Sequence, residues 1–165
     1  MKAIVAVDKN WGIGNCGELL CKIPGDLLYF KEKTRDKVVV MGRSTFESLP
    51  GRKPLKDRVN AVLTRNENYV APCSICCSDE ELRMLLKDYD EEDIYTIGGE
   101  SVFRQYLEDC DTIYVTKIEG DFEADTFFPN LDLDDRFRLF WVSDPYEERG
   151  LTYRFTEYRR KKETG

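Results

Sequence analysis

The sequence predicts a single α/β domain: a twisted, mixed but mostly parallel sheet with flanking helices and a C-terminal antiparallel hairpin. Three observations lead there. Short, nearly continuous apolar runs recur along the chain, as strands covered on both faces require. Between them lie stretches with apolar residues at helical spacing, so successive strands are joined by crossovers and run parallel. The C-terminal third changes to alternation broken by turn residues, the pattern of an antiparallel pair added at a sheet edge. With 165 residues, 41% of them apolar, the chain has the length of one domain. Folding at that length removes roughly 70% of the unfolded surface from water, so neither disulfides nor a structural metal is needed.

In chain order, residues 3–7 form the first strand, and residues 26–34 a helix with Leu27, Phe30 and Lys31 at helical spacing. Residues 38–41 and 59–63 are strands. Residues 79–89 form a helix with Leu82, Leu85, Leu86 and Tyr89 on one stripe, opened by Ser78 and Glu81 in a capping box. A strand at 94–97, a helix at 101–107 and a strand at 113–115 follow. Residues 138–142 and 152–158 are the hairpin strands, joined through Asp144-Pro145 and Gly150. Residues 159–165, with the basic run Arg159 to Lys162, read as a loose, solvated tail.

Composition removes whole classes of chemistry. There is no histidine, so serine-histidine and cysteine-histidine nucleophiles, imidazole bases and histidine metal sites are excluded, and no metal is expected. A net charge of −7 disfavours nucleic-acid binding. The apolar run at 3–7 is too short for a signal peptide and no run approaches membrane-spanning length, which places the chain in the cytoplasm. The six cysteines (16, 21, 73, 76, 77 and 110) do not form the paired spacing that grips zinc. Cys73 and Cys76 spell C-x-x-C. A redox pair wants a helix start at that point, whereas Ile75 and Cys76 read as strand, so core packing is the expected role.

Two strand-to-helix junctions share one design: Gly42-Arg43-Ser44-Thr45 after Val39-Val40-Met41, and Gly98-Gly99-Glu100-Ser101 after Tyr95-Thr96-Ile97. Glycine there lets a ligand approach the backbone, and the free amides of the next helical turn favour an anion; an ordinary glycine turn would look the same. Arg65, just past the strand ending at Leu63, makes a basic pair with Arg43 for a further phosphate. Parallel sheets bind ligands at the C-terminal ends of their strands, which favours the two junctions acting together. Gly12-Ile13-Gly14-Asn15-Cys16-Gly17 spells G-x-G-x-x-G but reads as a decoy, because Pro24 intervenes before any helix. It is either a mobile loop closing over a site or a flexible surface turn. Asp26, between Ile23-Pro24-Gly25 and Leu27-Leu28-Tyr29-Phe30, is either a helix cap or the one acid of an apolar pocket, poised to hold a proton near neutral pH.

These pieces, in this order, resemble the dihydrofolate reductase family. The likeness runs from Ile4 to about Tyr158 and includes Ile4-Val5-Ala6-Val7, Gly12-Ile13-Gly14, Asp26 with Phe30, and Val40 through Ser48. It continues with Leu63-Thr64-Arg65, Ile97-Gly98-Gly99, Tyr114-Val115-Thr116, Asp125 through Pro129 and Tyr153-Arg154-Phe155. The resemblance implies an eight-stranded mixed sheet with four helices, and NADPH-dependent reduction of 7,8-dihydrofolate to tetrahydrofolate in one-carbon metabolism. By the same resemblance Asp26 pairs with the pterin's N3 and 2-amino group, supported through Thr116, and promotes protonation at N5 while hydride reaches C6. Ile4, Val5, Ala6, Leu27, Phe30, Leu49 and Ile97 would wall the substrate, and Arg58 would hold its glutamate α-carboxylate, with Arg52 as competitor. NADPH would lie along Ala6, the loop 12–18 with Ile13 and Gly14, and Gly42, Arg43, Ser44 and Thr45. It would continue over Leu63, Thr64 and Arg65 to Gly98, Gly99, Glu100, Ser101, Val102 and Phe103. A cis peptide between Gly98 and Gly99 is implied as well.

The chain departs from the family where most members have Pro-Trp: it has Leu20-Cys21. A thiol is the weaker donor, so the altered loop, with the bulky Leu28, is expected to weaken trimethoprim-type antifolates more than dihydrofolate. Ser101 replaces the arginine that bacterial relatives often place after the glycine pair, which leaves Arg43, Thr64 and Arg65 to select NADPH over NADH. Competing readings are a reductase of the same fold acting on another heterocycle, as in riboflavin synthesis, a non-catalytic NADPH or folate-binding module, and a thiol redox protein using Cys73 and Cys76. The acidic surface and the absence of a long apolar exposed stripe make a monomer the expected state.

Overall fold

The computed structural model describes residues 1–20 and 22–162. The expectation for the Cys21 thiol therefore lies outside the described residues. In chain order the elements are β1 (Lys2–Val7), β2 (Gly12–Asn15), β3 (Glu18–Leu19), α1 (Pro24–Thr34), β4 (Val38–Gly42), α2 (Arg43–Ser48), β5 (Val59–Leu63) and β6 (Ser74–Cys76). They continue with α3 (Asp79–Leu86), β7 (Ile94–Gly98), α4 (Glu100–Tyr106), β8 (Thr112–Ile118), β9 (Thr126–Phe127), β10 (Phe137–Val142), β11 (Tyr146–Glu148) and β12 (Leu151–Arg160). The main sheet runs β10-β12-β8-β1-β7-β4-β5-β6, with β11 pairing β12, and a second sheet runs β3-β2-β9. From β8 to β6 every pairing is parallel; β12 joins β8 antiparallel and β10 joins β12 antiparallel. This is the mixed, mostly parallel sheet that the sequence predicts, with the eight-strand path that the resemblance implies.

The two faces of the sheet are packed differently. The run Val38-Val39-Val40-Met41 is buried completely, as a central parallel strand requires. Val38 and Val40 join one large core with Ala3, Val7, Phe103, Tyr106, Ile113 and Val115. The opposite face carries three separate smaller groups. One holds Val39, Met41, Phe46 and Val62, a second Ile4, Tyr95 and Tyr114, and a third Ile23, Ile118 and Tyr153. Asp26 and Thr116 fall between the second and third groups along α1 and β8.

Several expectations are corrected. The third helix stops at Leu86 because the Tyr89 amide closes a tight turn onto the Leu86 carbonyl at 3.0 Å, leaving Tyr89 exposed. Its cap is variant: Ser78 accepts from the Glu81 amide at 3.1 Å, but Glu81 reaches back to the Cys77 amide at 2.7 Å. The basic run is not a loose tail throughout, since Arg159 and Arg160 are in β12. Arg160 donates to the carbonyls of Leu107, Glu108 and Cys110, and Arg159 lies 3.3 Å from the Phe140 ring centroid. An apolar stripe is exposed after all. Leu139, Phe140, Trp141 and Val142 on the edge strand β10 are each 42–48% exposed, which removes the premise behind a monomer.

Candidate active site

Asp26 sits in the first turn of α1, two residues after Pro24 starts the helix. Its carboxylate does not cap the helix; it accepts a 2.6 Å hydrogen bond from the Thr116 hydroxyl on the neighbouring sheet. Thr116 is 2% exposed and stands on β8 between Ala6 of β1 and Phe155 of β12. Burial raises the Asp26 pKa above its ordinary value, and the Thr116 bond opposes that rise without cancelling it. The acid reading of Asp26 therefore has geometric support that a capping role lacks.

Around this pair the predicted walls divide by strand and helix period. Ile4, Phe30 and Ile97 gather with Tyr29, Tyr95 and Tyr114, Ala6 with Phe122 and Phe155, and Leu49 with Phe46 and Leu55. Leu27 is 44% exposed, beside Asp26 on the helix. Val5 is a correction. Successive strand residues point to opposite faces, and its side chain packs against the large core on the far face. Arg58 donates to Thr34 at the end of α1 at 3.3 Å and to the Lys56 carbonyl at 2.9 Å. Burial lowers its pKa, Asp57 opposes this and Arg35 adds to it. Arg52 is exposed in the Pro50–Arg52 turn, close enough to Glu47 to help lower that residue's pKa behind the stronger effect of Arg43.

The two glycine junctions lie side by side, because β4 and β7 pair in parallel with Met41 opposite Gly98. A Cβ on Gly42 would come 3.2 Å from Val102 Cγ2, and one on Gly99 would come 3.4 Å from Thr45 Oγ1. Gly98 has φ +113°, and a Cβ there would meet Phe103 Cε2 at 2.9 Å. The Gly98-Gly99 peptide is cis. Neither α2 nor α4 has a side-chain cap. Ser44 and Ser101 are exposed. Val102 and Phe103 are buried in the main core, so only their backbone can meet a ligand. Glu100 is likewise committed, accepting a 2.5 Å bond from the Phe127 amide.

Beyond β5, half-buried Leu63 and Thr64 lead into a turn in which Thr64 Oγ1 accepts from the Asn66 amide at 3.2 Å. Arg43 is held by Glu47 at 3.1 Å and lies 4.7 Å from the Tyr69 ring centroid.

The G-x-G-x-x-G stretch does not lead from a strand into a helix, as a dinucleotide fingerprint would; its first four residues are a strand. It is β2, held between β3 and β9. Ile13 is buried in the main core, and a Cβ on Gly14 would lie 2.8 Å from the Glu18 carbonyl. Asp8, buried and missed by sequence reasoning, accepts the Asn10 and Gly12 amides on one oxygen and the Phe122 amide on the other. Asp125 accepts the Cys16 amide at 2.9 Å. Cys16 and Gly17, both at positive φ, make the hairpin turn. Asp8 has a local signal, an acid two residues before Asn10. Its partner Phe122 and the Asp125 contact have none, because those residues are over a hundred positions away.

Cys73, Cys76, Cys77 and Cys110 are free, and burial pushes each thiol up, Cys110 to about 12. Thiolate chemistry is thereby disfavoured. Cys76 packs in the core as expected and Cys110 joins it, whereas Cys73 is only half-buried and Cys16 is exposed.

Compared with known proteins, residues 1–160 match the family model described as "Dihydrofolate reductase". The chain belongs to the dihydrofolate reductase family. It is 39% identical over 136 residues to the dihydrofolate reductase of Haemophilus influenzae, spanning 80% of each chain. With the Staphylococcus haemolyticus dihydrofolate reductase it shares 38% over 133 residues, 80% of this chain and 78% of that one. It is also 36% identical over 177 residues to the bifunctional dihydrofolate reductase-thymidylate synthase of Glycine max, covering 96% of this chain but only 33% of that protein. The chain thus spans about a third of the bifunctional plant relatives. A solved structure of the Enterococcus faecalis dihydrofolate reductase, complexed with NADP(H) and RAB-propyl, superposes with a TM-score of 0.86. The two are 34% identical, over 98% of this chain and 96% of that one.

Proposed function

We propose that this chain reduces 7,8-dihydrofolate to 5,6,7,8-tetrahydrofolate with NADPH. The observation that carries the reading is the 2.6 Å Thr116–Asp26 hydrogen bond between β8 and α1, in a chain with no histidine to serve instead. Bound NADPH supplies the hydride. Its fit is supported by Gly42, Gly98 and Gly99, where side chains would fill space against Val102, Phe103 and Thr45. Thr116 aims the carboxylate, and burial keeps its proton affinity high, so Asp26 can pair with the pterin N3 and 2-amino group and favour a proton at N5. Ile4, Phe30 and Ile97 exclude water from the ring, which strengthens those bonds.

Arg58, tied to the end of α1, is the better placed guanidinium for the glutamate α-carboxylate, since Arg52 lies toward Glu47. The assay is loss of NADPH absorbance on adding dihydrofolate. Oxidation with a pyrimidine or other heterocycle alone, or binding without turnover, would replace this reading with one of its rivals.

Cofactor choice falls to Arg65. Arg43 is engaged by Glu47, whereas Arg65 is exposed and joins no ion pair among the described residues. Arg65→Ala should raise the KM for NADPH roughly tenfold or more, the loss of a charge-assisted contact to the 2′-phosphate, and leave the KM for NADH nearly unchanged. Equal effects on both cofactors would refute the assignment. We further propose reduced sensitivity to trimethoprim-type diaminopyrimidines, resting on Leu20-Cys21 and Leu28. Cys21→Trp should then tighten trimethoprim about fivefold to tenfold, one hydrogen bond's worth, with little change in dihydrofolate KM. An unchanged inhibition constant removes the idea.

A further inference from the structure

We propose that Glu148 is a positioning residue for Asp26, capping the start of α1 from a distant hairpin and so fixing where the carboxyl meets Thr116. The inference deepens the functional reading above and rests on it, because that reading is what gives Asp26 a proton to hold. The first turn of a helix leaves amides unanswered unless a side chain supplies an acceptor. In α1 the local cap is absent, since Ile23 at that position has no acceptor. Pro24 has no amide hydrogen, and the Leu27 amide reaches the Ile23 carbonyl. The Gly25 amide, directly before Asp26, instead donates to Glu148 Oε2 at 3.1 Å, from a strand 123 residues away. The same oxygen accepts the Tyr153 hydroxyl at 3.2 Å. The contact is shaped to a glycine: a Cβ at residue 25 would come 2.5 Å from the Tyr153 hydroxyl and 2.8 Å from Glu148 Oε2.

Burial alone does not hold this helix. Within α1 only Thr34, at its far end, is buried, although Ile23 just before it is anchored in the third apolar group. The second tether is aromatic. Tyr29 stacks on Phe155 at 4.0 Å, and Phe155 continues to Tyr153 and Tyr146. Glu148 and Tyr146 belong to β11, Tyr153 and Phe155 to β12, so one hairpin grips α1 on both sides of Asp26, at residues 25 and 29. The titratable groups close enough to feel the Asp26 charge are Tyr29 on α1 and Tyr153 on β12, while Glu148 on β11 meets the helix one residue earlier, at the Gly25 amide. Burial first and Glu148 second hold the Tyr153 pKa above its ordinary value, which keeps it a donor at neutral pH.

The test is titration of the Asp26 carboxyl by NMR in the ligand-free chain, assigned with Asp26→Asn and repeated in Glu148→Ala and Glu148→Gln. Both variants lose the charge, but only Gln keeps an acceptor for Gly25 and Tyr153. Glu148→Ala should therefore lower the Asp26 pKa about half a unit to one unit further than Glu148→Gln, as the loosened turn lets water reach the carboxyl. Turnover should fall roughly tenfold or more in the Ala variant, with NADPH KM unchanged, and be rescued by Gln. If Glu148→Ala does not fold, Glu148→Asp, a methylene short of the amide, should shift Asp26 in the same direction. Equal Asp26 titration in the Ala and Gln variants, or an unmoved pKa in a folded Asp variant, overturns the proposal. The two readings fail separately: a shifted Asp26 in a chain inert toward dihydrofolate sinks the function, and an active chain without the shift sinks the role of Glu148.

Discussion

Asp26→Asn is expected to lower dihydrofolate reduction at neutral pH by roughly two to four orders of magnitude, the range for losing a positioned acid-base group. NADPH affinity should hardly change, because the glycine junctions lie on other strands. The amide can still accept from Thr116, so the 2.6 Å contact need not be lost, but it cannot promote protonation at N5. The pH dependence follows from the raised Asp26 pKa: in the parent, activity should decline as pH rises through that folded value, and in the variant that limb should vanish. Stability of the parent falls over the same pH range. A carboxyl whose folded pKa lies above its unfolded one contributes stability that is complete below the unfolded value and is lost as pH rises through the folded one. At pH 7 the parent therefore carries the cost of a buried carboxylate, and Asp26→Asn should unfold at a higher temperature while being nearly inactive. Wild-type turnover in the variant would remove Asp26 from the chemistry. A lower midpoint would show that the charged carboxylate is better solvated than its burial implies.

Gly98→Ala should be the most damaging single methyl at the cofactor side. The residue has φ +113°, and the new Cβ would lie 2.9 Å from Phe103 Cε2. Phe103 has no room to retreat: it is 3% exposed and packs edge-on to Phe128 at 4.9 Å. Backbone strain and overpacking together should cost about 2–4 kcal/mol, a fall in thermal midpoint on the order of 10 °C for a chain of this length. The stabilisation that added NADPH gives should also shrink, since affinity for the folded chain sets it. Gly99→Ala is the comparison. Its φ of −77° is ordinary and its nearest contact is 3.4 Å, so its loss of stability should be much smaller. Equal losses at the two positions would contradict the steric account.

The fold was largely legible because its signals are local. Val38 to Met41 announce a strand covered on both faces, Ser78 and Glu81 announce a helix start, and each needs only a few neighbouring residues to be read. The site was legible to the same depth. Gly42 and Gly98-Gly99 follow strands directly, and Asp26 stands out as an acid in an apolar stretch. What escaped was whatever depends on pairing at long range. Gly12 to Asn15 has no alternation to mark it as a strand; it pairs with β3 next to it and, at long range, with residues 126–127. The family resemblance implies ligand contacts for Val5, Ile13, Val102 and Phe103, yet strand and helix period send their side chains into the core.

The sequence by itself determined most strands of the main sheet, its three longer helices, the mainly parallel order and the exclusion of histidine chemistry, since these depend on residue type and on periods of two and about three and a half. Only the tertiary structure decided that Asp26 meets Thr116, that Asp8 gathers amides from two loops and that Glu148 answers Gly25. Those contacts join residues 90 to 123 positions apart. Hydrogen bonds of a few ångströms depend on where a whole folded sheet places its edges, and no local pattern carries that distance.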